Sequence, residues 1–245
     1  MLNPIALIAS ESAHLVPEIE DLTPLPSAGL WMLLALQLPA ADIERYADIT
    51  QQDASWLSWA LARQHRALES LSESVPVYPL QFGLIVPSAE EMLGIAESQN
   101  AALKDYFALI SGASEWGIKA ALNDVADDPS AIPEPVSGLA WLKAKQAAPE
   151  QRRRRIESAM VKVQEVLNDL LAFGRAKTDV QRQAVVPAKQ RLEIVNSAIL
   201  VDKQMSEAFL NCARKNKAQL AQEGIEFTVS GPWPPYSFRP RLLKD

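Results

Sequence analysis

Apolar residues in this chain follow two rhythms that take turns along its length, and this exchange restricts the fold more than any other feature. Short runs bounded by Pro, Ser and Gly, at Asn3 to Ala9 and Gly29 to Leu38, read as paired strands buried in a sheet. Asp53 is a good N-cap for a helix through Leu71, in which Leu57, Leu61, Leu68 and Leu71 form a stripe at helical spacing that should pack on that sheet. Pro76 and Pro79 then punctuate the chain, so that Leu80 to Val86 reads as a third strand. Ser88 and Glu91 have the spacing of a capping box, followed by Met92, Ala96, Leu103, Phe107 and Ile110 at helical intervals in one helix. This closes a first α+β domain over residues 1–112.

The rhythm restarts in the second half. Trp116, Ile118, Ala120 and Leu122 alternate with Glu115, Gly117, Lys119 and Ala121, the two-residue period of a half-buried strand. Asp127-Asp128-Pro129 and Pro133-Glu134-Pro135 mark a loop, and the second cluster presets a helix through about Ala147 that Pro149 should interrupt. A longer helix carries Ile156, Met160, Val163, Leu167 and Leu170 on one side and ends near Gly174. Leu192 to Val201 reads as a strand, Met205 to Glu223 as a helix, and Ile225, Phe227 and Val229 as an alternating strand, with Gly224 just past the helix end. The order is β-α-α-β-α-β over residues 113–230, which suits helices packed on one face of a sheet.

Composition bounds what such a chain does. Its 245 residues, 48% of them apolar, suffice for two ordinary domains. The longest strongly apolar run, Leu30 to Leu36, is far short of the roughly 20 residues of a spanning helix. No Lys or Arg precedes Arg45, so the start lacks the positive region of a secretory signal, and a cytoplasmic location is expected. The single Cys212 cannot form an internal disulfide, which agrees with a reducing compartment. The net charge of -6 disfavours nucleic acid as main partner. It conceals an asymmetry, because residues 1–128 hold 5 Lys/Arg against 18 Asp/Glu and residues 129–245 hold 19 against 12. Complementarity between the halves is the favoured reading, with steering of an acidic partner to the second half as the alternative.

Chemistry-bearing constellations are sparse. His14 and His65 sit in no metal-ligand spacing, and no Gly-x-Gly-x-x-Gly, Walker loop or Gly-x-Ser-x-Gly elbow occurs, so no metal, cofactor or catalytic residue is assigned. His65 reads as a helical histidine beside Leu61 and Leu68, and Cys212 as a core residue on the stripe Met205, Ala208, Phe209. Arg152 to Arg155 is a dense basic run, but Glu150 stands four residues before Arg154 and Glu157 four after Arg153, which reads as an ion-paired, solvated helix face.

The least random segment is Gly231-Pro232-Trp233-Pro234-Pro235-Tyr236-Ser237-Phe238. Its prolines fix φ and remove donors, so it should leave the sheet as a stiff extended arm, with Trp233, Tyr236 and Phe238 as preshaped apolar anchors. Exposing three aromatics is unfavourable, so docking on the chain itself is favoured over presentation to a partner.

This segment, after a β-strand, resembles the C-terminal signature of the GvpF/GvpL gas vesicle proteins. Trp59 to His65, Pro79-Leu80-Gln81-Phe82-Gly83, Glu115-Trp116-Gly117-Ile118-Lys119 and Gly138-Leu139-Ala140-Trp141-Leu142 follow the family's order. The chain departs from the pattern at Gln81, usually arginine, and at Trp141, often tyrosine. The resemblance implies an α+β protein of two domains, the second a modified ferredoxin-like sandwich, with a tail over residues 231–245 packed between them. It also implies a minor component of the gas vesicle that contacts the small apolar major shell protein, with other gas vesicle accessory proteins as further candidate partners, and without enzymatic activity, cofactor or small-molecule substrate. Trp233, Pro234, Pro235, Tyr236 and Phe238 would anchor the tail; His65, Pro79, Phe82, Gly83, Glu115, Gly117 and Gly138 are the other family-like positions. Two alternatives stand beside this: a binder of nucleic acid or an anionic surface through Arg152 to Arg155, and an enzyme with an unfamiliar site.

Overall fold

The computed structural model describes residues 1–27, 29–47, 53–123, 138–180 and 191–242. Two compact units emerge, one of Met1–Glu115 with Pro232–Asp245 and the other of Trp116–Gly231. Each has its own four-stranded sheet, and the fold is mixed α and β as the alternation of apolar rhythms requires.

In the first unit, β1 (Asn3–Ala9) and β3 (Trp31–Leu36) pair antiparallel from Asn3 opposite Leu36 to Ala9 opposite Trp31. The sheet order is β2-β3-β1-β4, where β2 is Leu22–Leu25 and β4 the two residues Tyr78–Pro79. Helices α1 (Ala40–Ala47), α2 (Ala54–Ser74), α3 (Ala89–Ser98) and α4 (Asn100–Ile110) complete it. Ile5, Ala6, Leu7 and Ile8 are all fully buried. A strand covered on both faces reads as an unbroken apolar run. Ala67, Leu68 and Leu71 of α2 pack with Ile5, Ile8 and Leu34 on one side, while α3 lies against β3.

Several local expectations are corrected here. Leu80 to Val86 is not a strand: the last bond to β1 is Leu80 N to Ile5 O at 2.8 Å, the chain turns at Gly83, and only a single bridge joins Val86 to Leu2. The positive φ of Gly83, open to glycine without strain, takes the chain off the sheet. The segment after Ser88 makes two helices, broken at Gln99, and the Ser88 side chain makes no capping bond. Asp53 does cap α2, accepting from Trp56 N at 2.8 Å, and its own carboxyl is held below the usual range by bonds from Ser55 and Trp56. The buried face of α2 is Trp56, Ala60, Gln64, Ala67, Leu68 and Leu71, so Leu61, 48% exposed, lies off it. Counting leucines alone misses a stripe built partly from Ala60 and Gln64. Strand β2 was not expected from Leu-Thr-Pro-Leu, which has no apolar run; its edge position tolerates Pro24.

The second unit runs β5 (Ala113–Asn123), α5 (Gly138–Leu171), β6 (Gly174–Asp179), β7 (Arg191–Asp202), α6 (Ser206–Gln222) and β8 (Ile225–Trp233), with sheet order β6-β7-β5-β8. The order is therefore β-α-β-β-α-β. The two helices expected on either side of Pro149 form the single α5, and β6 is an added strand that was not anticipated because Gly-Arg-Ala-Lys-Thr-Asp at the sheet edge carries no apolar signal. Its core gathers Trp116, Ile118, Ala120 and Leu122 of β5 with Val163, Leu167 and Leu170 of α5 and Phe209 and Leu220 of α6.

Helix α5 passes through Pro149 without ending there, since an interior proline removes one hydrogen bond and need not stop a helix held by packing further along. Met160 is 54% exposed, and Ala159 and Val166 take the expected place on the buried face. Met205, just before α6, and Ala208 on it are exposed, while Cys212 is half-buried against the core. The arginine run pairs as its spacing predicts, Arg154 with Glu150 at 3.1 Å and Arg153 with Glu157 at 3.8 Å. Asp127-Asp128-Pro129 and Pro133-Glu134-Pro135 lie outside the described residues. Gly224 ends α6 at φ 73°, a conformation that costs an L-residue about 1–2 kcal/mol. Gly224→Ala is expected to lower stability by about 1 kcal/mol, read from chemical denaturation.

Candidate functional site

The Pro/aromatic segment does not leave the sheet at Gly231. Strand β8 continues through Trp233 along the sheet edge, where the missing N–H of Pro232 is tolerated, and Tyr236–Phe238 then closes one 3-10 turn. Residues from Pro232 onward group with the first unit.

Prolines offer carbonyls but no donors, so donors must come to Pro235 and Pro240 from the first unit. Tyr78 Oη donates to Pro240 O at 2.6 Å, and the single Tyr106 Oη proton is shared between Val77 O at 3.0 Å and Pro235 O at 3.3 Å. Burial keeps both phenols protonated by raising their pKa, with the neighbouring Tyr78 and Glu115 adding to the effect on Tyr106. In the other direction, Arg239 Nη1 donates to Pro79 O at 3.0 Å. Pro234 and Pro235 are buried, while Phe238 is half-buried.

Glu115 is buried and receives both donors of one tail residue: Ser237 N reaches Oε2 at 2.8 Å and Ser237 Oγ reaches Oε1 at 2.6 Å. Burial raises its carboxyl pKa above the usual value, and the two Ser237 bonds pull the other way.

His65, on α2, meets the tail directly. Its Nδ1 lies 2.8 Å from Tyr236 Oη and its Nε2 3.2 Å from Glu69 Oε1. With Nε2–H donating to the carboxylate, Nδ1 accepts from the tyrosine, a phenol that burial keeps protonated. The Trp233 ring centroid lies 5.3 Å from that of His65. Leu68 is buried one turn along, so His65 joins helix and tail rather than simply lining a core.

Beside this junction α2, the residues after β4 and the tail line an open cavity of about 430 Å³. Leu61, Leu68, Leu80 and Phe82 supply apolar wall; Gln64, His65, Gln81, Tyr236 and Arg239 supply the polar groups. Gly83 holds the adjacent turn at φ 83°. Of the residues singled out by sequence, His65, Pro79, Phe82, Gly83, Glu115, Trp233, Pro234, Pro235, Tyr236 and Phe238 lie in this unit, whereas Gly117 is on β5 and Gly138 opens α5 in the second. Sequence reasoning passed over Gln64, Tyr78, Tyr106, Ser237 and Arg239. Gln64 carried a signal, a polar side chain on the buried face of an amphipathic helix; the tyrosines, serine and arginine carried none without their partners.

Residues 34–240 match the family model described as gas vesicle synthesis protein GvpL/GvpF. The chain belongs to this family. Gas vesicle protein L of Streptomyces sp. (strain CB03234) is 22% identical over 193 residues, covering 76% of this chain and 71% of that protein. The fold of this GvpL/GvpF member is similar to two solved structures. GvpF from Anabaena sp. PCC7120 superposes with a TM-score of 0.68 at 14% identity, over 98% of this chain and 96% of that one. GvpF from Microcystis aeruginosa gives 0.62 at 15%, over 97% and 98%. Membership makes the chain a gas vesicle protein, and among its described residues no helix is long and apolar enough to cross a membrane.

Proposed function

We propose that this protein is a non-enzymatic assembly factor of gas vesicles, a minor vesicle component that binds the major shell protein in the cytoplasm and assists its nucleation or prevents its aggregation. The observation that carries the reading is the family match, which runs through both units from residue 34 to residue 240. A shell protein with exposed apolar strands or helices aggregates unless a partner covers it before it joins the wall. The titratable groups that the sequence singles out support binding over catalysis, because they are engaged in holding the chain. His65 bonds Tyr236 and Glu69, Glu115 bonds Ser237, and Cys212 packs against a core. The same reading takes the second unit as a modified ferredoxin-like sandwich, on its β-α-β-β-α-β order.

Co-expression with the major shell protein tests the function. The expected result is a recovered complex and a larger soluble fraction of shell protein. Unchanged aggregation with no complex in a pull-down would end the assembly-factor reading.

A further inference from the structure

We propose that the cavity beside α2 docks an apolar segment of a partner protein that bears a carboxylate and presents a backbone N–H. This rests on the assembly-factor reading and names where the shell protein would be held.

The volume of about 430 Å³ lies within the range of specific binding pockets, roughly 300–1,000 Å³. Its apolar wall includes Leu61, a large side chain left 48% exposed. The Gln81 side chain is exposed; two less exposed polar groups in the lining retain unused capacity, and they differ in kind. Gln64 is 5% exposed; its Nε2 donates to Leu80 O at 3.3 Å, while its Oε1 has no partner among the described residues. A buried amide oxygen of this kind calls for a donor. Arg239 gives Nη1 to Pro79 O and forms no ion pair among the described residues, so a guanidinium with five donors has most of them left for an anion. His65 and Tyr236 already bond each other. The cavity thus asks for one N–H, one carboxylate and aliphatic surface. A peptide segment supplies all three, whereas an ionised fatty acid lacks the donor for Gln64.

The test uses the full chain, with the co-expressed shell protein as probe and binding quantified by titrated pull-down. Ala62 is exposed in the cavity lining, so Ala62→Trp fills the space from a helix surface position. It is expected to weaken binding at least about tenfold with an unchanged melting temperature. Leu61→Lys and Leu61→Glu remove the same apolar contact at an exposed site and differ only in the charge they add. A carboxylate-bearing occupant requires the Glu variant to bind at least about tenfold more weakly than the Lys variant. This pair also decides the matter if the tryptophan disturbs folding. If the wild-type protein binds and Ala62→Trp binds equally, or if the Lys and Glu variants match, the cavity inference is overturned and the assembly-factor reading stands. If the wild-type protein does not bind the shell protein, both fall.

Discussion

Replacing Trp233 by alanine is expected to lower the unfolding free energy by about 3 kcal/mol, the lower end of the range for truncating a large buried aromatic. The lower end applies because Trp233 is half-buried rather than enclosed. Its ring lies against that of His65, and it immediately precedes the buried pair Pro234 and Pro235. Truncation removes this apolar surface and loosens the position from which Tyr236 reaches His65 Nδ1. Urea denaturation of the variant beside the wild type measures the loss. Unchanged stability together with weakened binding of the shell protein would instead assign Trp233 to a partner surface, as an interface hot spot.

Glu115→Ala is expected to cost about 2 kcal/mol at neutral pH, and Glu115→Gln much less. The carboxylate accepts from both Ser237 N and Ser237 Oγ, and hydrogen bonds to a charged group contribute about 1.5–3 kcal/mol each. Relief of a buried charge offsets part of that loss in the alanine variant. Glutamine keeps both contacts, its oxygen accepting from the amide N–H and its NH₂ donating to the hydroxyl.

The pH dependence separates these terms. Burial raises the Glu115 pKa in the folded protein above its unfolded value, so the native state binds the proton more tightly. Stability from this group is fully present below the unfolded pKa and is lost as pH rises from there through the folded pKa. The Gln variant should therefore gain on the wild type across that window and hold a constant difference above it. Denaturation midpoints across the acidic to neutral range provide the measurement. A difference independent of pH would show that burial does not shift the Glu115 pKa between the unfolded and folded states.

Elements with strong periodicity were legible in the residues themselves. Strand β1 was set by an apolar run buried on both faces, β5 by strict alternation, and the end of α6 by Gly224. The ion pairs of Arg153 and Arg154 followed from i, i+4 spacing. Elements without an apolar signal were not legible. Strand β6 exists because Ala176 to Asp179 pair with Leu200 to Ser197 of β7, and pairing is a property of two segments rather than one.

The tail divides the same way. Its composition determined that Trp233 to Phe238 could not be an ordinary helix and carried surface worth burying, because proline and aromatic side chains fix those properties locally. Tertiary structure alone decided which groups would hold it. His65 and Tyr236 are separated by 171 residues, Tyr78 and Pro240 by 162, and Glu115 and Ser237 by 122. Hydrogen bonds over such separations depend on where the folded backbone brings each donor and acceptor, which no local pattern records. The cavity has the same origin: Leu61 and Leu68 read as core in a helix taken alone, and become a wall only when Leu80, Phe82 and Arg239 are placed opposite.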